Sequence, residues 1–95
     1  MSTIEQNVAR HLLSIEAVKL SPEKPFTWAS GWKSPIYCDN RKILSYPEIR
    51  TSICEYMVSV IKEHYADVEV IAGIATGAIA YGALVADILN KPFIY

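Results

Sequence analysis

Apolar positions along the chain change period five times, and each change marks an element. Ile4, Val8, Leu12 and Ile15 recur at helical spacing, with Leu13 widening the stripe, so an amphipathic helix is expected at the start. Ser2 or Thr3 can cap it, and Glu5 supports its N-terminal dipole. The apolar face of that helix must be buried, either on the body of its own domain or on a partner subunit. From Lys19 to Arg41 the helical period is lost. Pro22, Pro25 and Pro35 forbid a long helix, and Phe26, Thr27 and Trp28 favour extended backbone. FTWASGWKSPIYCDNR reads as two strands around a turn at Ser30-Gly31.

Ser45-Tyr46-Pro47 starts a second helix, with Pro47 near the first helical position. Ile49, Ile53, Tyr56 or Met57, Val60 or Ile61, and Tyr65 mark its apolar face, and it runs to about His64. VEVIAGI is short, almost wholly apolar and β-branched, the pattern of a strand buried on both faces of a parallel sheet. The loop around Ala75-Thr76-Gly77 leads into the helix AIAYGALVADILN, which Asn90 and Lys91 close before PFIY extends again. Strand, helix and strand at this distance form a βαβ unit. The fold class is therefore α/β. A division at residue 44/45 is expected, with an N-terminal helix and hairpin in 1–44 and the beginning of an α/β core in 45–95. Two parallel strands leave an unpaired apolar edge, so the core reads as incomplete at its C-terminal side.

Composition changes this picture little. With 52% hydrophobic and 20% charged residues and a net charge of −1, the chain is globular and carries no basic footprint for nucleic acid or an anionic membrane surface. No basic n-region precedes an apolar segment at the N-terminus, and no apolar run reaches a membrane span, so a soluble cytoplasmic protein is expected. Cys38 and Cys54 fit no metal spacing and read as buried or partly buried thiols. His11 and His64 lack partners at ligand or triad spacing, and the serines lack a nucleophile-elbow context.

Two stretches carry candidate chemistry. Gly73-Ile74-Ala75-Thr76-Gly77 joins the end of a strand to the start of a helix, the rim where open α/β sheets bind ligands. Free N–H groups and the helix dipole there suit an anion, and the Thr76 hydroxyl adds a donor. The pattern is neither a Walker loop nor a dinucleotide fingerprint, and the glycines can equally serve only a tight turn. The second stretch is the hairpin. Lys33 and Arg41 can hold an anionic ligand while Tyr37 or a tryptophan supplies a flat wall; aromatic packing with two surface cations is the plainer alternative. Asp39 is expected to pair with Lys33 or Arg41.

Taken together, SGWKSPIYCD and, further on, VIAGIATGAIAYG resemble the orotate phosphoribosyltransferase family of type I phosphoribosyltransferases. The resemblance extends over essentially the whole chain. It implies an N-terminal hood followed by the first βαβ of a Rossmann-like core. The implied reaction joins orotate to phosphoribosyl pyrophosphate, giving orotidine 5′-monophosphate and pyrophosphate in pyrimidine synthesis. It implies magnesium held mainly through substrate, with no metal ligand in this chain, and a homodimer. Carried over by position, Ser30, Gly31, Lys33, Tyr37 and Cys38 lie on the orotate side, and Ala75, Thr76 and Gly77 form the pyrophosphate loop, with a non-proline cis peptide between Ala75 and Thr76. Some family members carry lysine where this chain has Ala29 and Gly77, so no lysine contact is carried over at those positions. The acidic strand end and Thr-Gly-rich loop for the 5-phosphate, and the mobile basic loop, are not found in residues 1–95, so no catalytic residue is assigned and these residues alone are expected to be inactive. Another phosphoribosyltransferase, acting on purines or regulating transcription, and a non-catalytic binding or assembly module are the competing readings.

Overall fold

Thr3 and Gln6 open the first element by capping each other. The computed structural model describes residues 3–95, so Ser2, the other candidate cap, lies outside the described residues. The Thr3 hydroxyl accepts from the Gln6 backbone N–H and the Gln6 side-chain oxygen accepts from the Thr3 N–H, each at 3.1 Å. This capping box satisfies two of the donors a helix leaves free and starts α1 (Ile4–Ser14). The helix ends in a Schellman arrangement. Glu16 takes φ 58°, its N–H reaches the Leu13 carbonyl, and the Ala17 N–H reaches the Leu12 carbonyl. Ile4, Val8 and Leu12 are only half-buried and Leu13 is 55% exposed, so the expected stripe is narrower than its spacing suggests.

The chain divides into two compact units, Met1–Tyr46 and Pro47–Tyr95. In the first, β1 (Val18–Leu20) runs antiparallel to β4 (Ile36–Cys38), pairing Val18 with Cys38, Lys19 with Tyr37 and Leu20 with Ile36. The ladder is prolonged by Asp39 N–H to the Ala17 carbonyl at 2.7 Å and Ser21 N–H to the Pro35 carbonyl at 2.6 Å. Between them, β2 (Phe26–Thr27) and β3 (Lys33–Ser34) form the expected hairpin, shorter than read. Strand β1 was not anticipated, because three residues carry no period. A 3-10 helix (Asn40–Ser45) follows, its first turn held by Asp39 Oδ1 accepting from the Arg41 N–H at 3.2 Å, and it buries Ile43.

In the second unit, α2 (Pro47–His64) begins at Pro47, whose missing N–H costs nothing at a first helical position. Its buried residues are Ile53, Cys54 and Val58, while Met57 and Val60 are about 40% exposed. Of the alternatives the spacing left open, Tyr56 and Ile61 are the half-buried ones, and Cys54 and Val58 join them on the buried side. Strand β5 (Ile71–Ala72) pairs in parallel with β6 (Phe93–Ile94), Ile71 with Phe93 and Ala72 with Ile94. Between them, α3 (Ile79–Leu89) packs on both strands and on α2, burying Tyr81, Val85 and Ala86. It ends with Asn90 at φ 55° and the Lys91 N–H on the Ala86 carbonyl, closing where expected.

The mixed α/β class and the parallel βαβ unit are as expected; the burial of β5 is not. Val70 is 43% and Ile74 78% exposed. Among the described residues the parallel sheet has two strands. Lys91 is tied to the end of α3 and Pro92 has no N–H, so among the described residues the pairing begins at Ile71.

Candidate functional site

The hairpin places its residues through three hydrogen bonds centred on Trp28. The Gly31 N–H donates to the Trp28 carbonyl and the Trp28 N–H to the Trp32 carbonyl, both at 2.8 Å, which closes the turn. Gly31 sits at φ 90°, a conformation that side chains disfavour, so the turn needs glycine there. The Trp28 indole N–H donates to the Ile36 carbonyl at 3.1 Å, joining the turn to β4. Phe26 and Tyr37 make a second link, their rings 5.8 Å apart and tilted by 42°. Ser30 and Lys33 are exposed around this frame, and Tyr37 is 40% exposed. An open groove of about 530 Å³ in the same unit is lined by Leu13, Glu16, Val18, Lys19, Leu20 and Phe26.

Ser30, Gly31, Lys33 and Tyr37 are thus carried by one turn and two joined strand pairs. Cys38 is set apart, because alternation along β4 turns it to the face opposite Tyr37, and its thiol donates to Asn40 Oδ1 at 3.3 Å. It is exposed rather than buried, as are Ile36 and Tyr37 on the same short strand. Of the two partners expected for Asp39, the structure selects Arg41, with Nε 3.3 Å from Oδ1. Two residues were missed, and a third, read only as one of the tryptophans that could form a wall, has another role. Lys19 lies directly across from Tyr37. Ser34 is buried, and its hydroxyl accepts from the Ile36 N–H at 3.2 Å. Trp28 is the tie itself. The Pro35 turn after Ser34 is the one sequence signal that points at this arrangement, as serine side chains commonly satisfy turn backbone.

In the second unit, the strand-to-helix loop holds a non-proline cis peptide between Ala75 and Thr76, at the bond where the resemblance puts one. The Ala78 N–H donates to the Ile74 carbonyl and the Ile79 N–H to the Thr76 carbonyl. The N–H groups of Ala75, Thr76 and Gly77 have no partner among the described residues, and all three residues are exposed. Gly73 and Gly77 differ in kind. A Cβ on Gly73 would lie 2.5 Å from the Ala78 carbonyl oxygen, whereas one on Gly77 would meet nothing within 4 Å. Gly73 is needed for strand-to-helix packing; Gly77 is not. Gly77→Ala should therefore leave the melting temperature unchanged or slightly raised, which thermal denaturation would check.

Both thiols are free. Burial pushes the Cys54 thiol up, with Arg50 nearby pulling modestly the other way. The folded chain then holds its proton where the unfolded one loses it. The associated stability is fully present below the ordinary thiol range and is lost as pH rises from there through the raised value of the folded thiol. Iodoacetamide is expected to modify Cys38 in the native chain and Cys54 only after denaturant is added, as peptide mass spectrometry would read. Among the described residues, no group of three or more His, Cys, Asp or Glu could hold a metal ion, and no helix is long and apolar enough to cross a membrane.

No protein-family profile matches the chain. Orotate phosphoribosyltransferase of Porphyromonas gingivalis is 60% identical over 95 residues, which is 100% of this chain and 45% of that protein. Orotate phosphoribosyltransferase from Aeropyrum pernix superposes with a TM-score of 0.77 at 27% identity, covering 90% of this chain and 50% of that one. UMP synthase of Leishmania donovani gives 0.78 at 28% identity, covering 100% of this chain and 20% of that one. The chain spans about half the length of the curated relatives it matches. The resemblance carried by the hairpin and the strand-to-helix loop holds: along its whole length the chain is similar, in sequence and in fold, to part of the orotate phosphoribosyltransferases.

Proposed function

We propose that these residues supply the orotate side and the pyrophosphate loop of an orotate phosphoribosyltransferase. That enzyme converts orotate and phosphoribosyl pyrophosphate to orotidine 5′-monophosphate and pyrophosphate in pyrimidine synthesis. The observation that carries the reading is the 60% identity to such an enzyme along all 95 residues, the hairpin and the loop included. In the proposed reaction a ring nitrogen of orotate, giving up its proton to solvent or to the departing pyrophosphate, attacks ribose C1′ while the bond from C1′ to pyrophosphate breaks. Positive charge develops on the sugar and negative charge on the leaving group, so catalysis is mainly positioning and electrostatic stabilisation.

Lys33 would face the orotate carboxylate as a mobile cation, with the Tyr37 ring as a wall and the Ser30-Gly31 turn offering backbone and hydroxyl groups. The unpartnered N–H groups at Ala75, Thr76 and Gly77 would receive the leaving pyrophosphate, with Gly77 leaving room for it. The loop offers hydroxyl and amide donors and no carboxylate, a set that suits an anion rather than a cation. Magnesium would accordingly be held through substrate oxygens, where it neutralises charge on the leaving group. A homodimer working in the cytoplasm completes the proposal.

Calorimetry with orotate, then with adenine and guanine, tests it. Heat with orotate alone supports the assignment; heat with a purine and none with orotate points to a different phosphoribosyltransferase. These 95 residues by themselves are expected not to turn over. Loss of orotate absorbance with phosphoribosyl pyrophosphate and magnesium, in a preparation of verified mass, would contradict that.

A further inference from the structure

Trp28 makes three hydrogen bonds, and they do two different jobs. Its backbone N–H and carbonyl close the turn on Trp32 and Gly31. Its indole N–H leaves the hairpin and ends on the Ile36 carbonyl, one residue before Tyr37. The other tryptophan, Trp32, is 74% exposed against 44% for Trp28. The strand pairs β2–β3 and β1–β4 form separate sheets, so no backbone ladder holds the turn to β4. The indole bond and the Phe26–Tyr37 ring contact span that gap.

We propose that Trp28 is a positioning residue whose indole N–H locks the Ser30-Gly31 turn to the strand that carries Tyr37. The lock follows from the geometry alone; its bearing on a ligand rests on the reading of this hairpin as the orotate side. A ligand gripped from both the turn and Tyr37 needs them at a fixed separation, and a tilt of the hairpin would spoil one grip or the other. Trp28→Phe keeps a ring and removes only the donor. The Ile36 carbonyl is in an exposed stretch and water can replace the lost partner, so the fold is expected to survive.

The test compares Trp28→Phe with the wild-type chain. Amide exchange is followed at Gly31 in the turn and at Asp39, whose N–H closes the other strand pair; orotate binding is followed by calorimetry. The expected result is exchange at Gly31 and an orotate dissociation constant each raised about three- to tenfold, the worth of one net hydrogen bond, with Asp39 unchanged. Unchanged exchange at Gly31 overturns the proposal. So does equal acceleration at Gly31 and Asp39, which marks general loosening, and so does faster exchange at Gly31 with unaltered orotate affinity. If the wild-type chain takes up no orotate, the orotate reading fails by itself and the exchange arm still decides the lock. Should the variant not fold, the wild-type indoles decide it: the Trp28 N–H must exchange more slowly than that of Trp32, and equal rates overturn the lock.

Discussion

Gly73→Val is expected to abolish cooperative melting of the Pro47–Tyr95 unit. A Cβ at this position would lie 2.5 Å from the Ala78 carbonyl oxygen and 3.1 Å from Phe93 Cε1. The oxygen cannot retreat freely, because it accepts the Gly82 N–H at 2.9 Å in the first turn of α3. Overpacking by one methylene costs about 1–3 kcal/mol, and a branched side chain pressed on backbone exceeds that. A unit this small has only a few kcal/mol to lose. Gly82→Ala should be milder, since the atom it meets at 2.5 Å belongs to the Phe93 ring, which can swing. Circular dichroism melts of the two variants would give that order, and a Gly73→Val melt within a degree or two of wild type would sink the packing argument.

Ile53→Ala is the second large effect. Ile53 is 5% exposed on the face of α2 that also buries Cys54 and Val58. Removing its side chain costs the transfer energy plus a residual cavity, about 2–4 kcal/mol, offset by a few tenths from the better helix propensity of alanine. Met57→Ala, four residues on and 41% exposed, should cost well under half as much. Urea denaturation followed by ellipticity would separate them. The reverse order would mean that Met57, rather than Ile53, is the residue held in the core, against the burial the structure shows.

The second unit was the more legible of the two. Pro47 and Asn90 are strong local punctuation, and a long helix repeats its period often enough to be read. On α2 apolar residues occupy adjacent positions, so spacing alone could not choose between Tyr56 and Met57 or between Val60 and Ile61, and it did not point to Cys54 or Val58. The short strands were harder. Val18–Leu20 has three residues, too few for alternation to show, and its pairing with Ile36–Cys38 is set by the length of the intervening hairpin. Glu16 at the αL position was invisible because its sequence lacks the usual glycine.

For the candidate site, motifs located the right stretches and could not supply the relations within them. That Tyr37 and Cys38 face opposite ways follows from the pleat once β4 is known, and that Lys19 opposes Tyr37 follows from register. Gly77 illustrates the same limit. In the sequence it is indistinguishable from Gly73, and only the surrounding atoms show that one glycine is enforced by packing and the other is not.

The most direct test of the central claim is residue-resolved titration of the isotopically labelled chain by NMR, with orotate and with pyrophosphate in turn. The account predicts that orotate shifts the amides of Ser30, Gly31, Lys33 and Tyr37 while adenine leaves them in place, and that pyrophosphate shifts Ala75, Thr76 and Gly77. Orotate shifts scattered over other surfaces, or the same response to adenine, would contradict it.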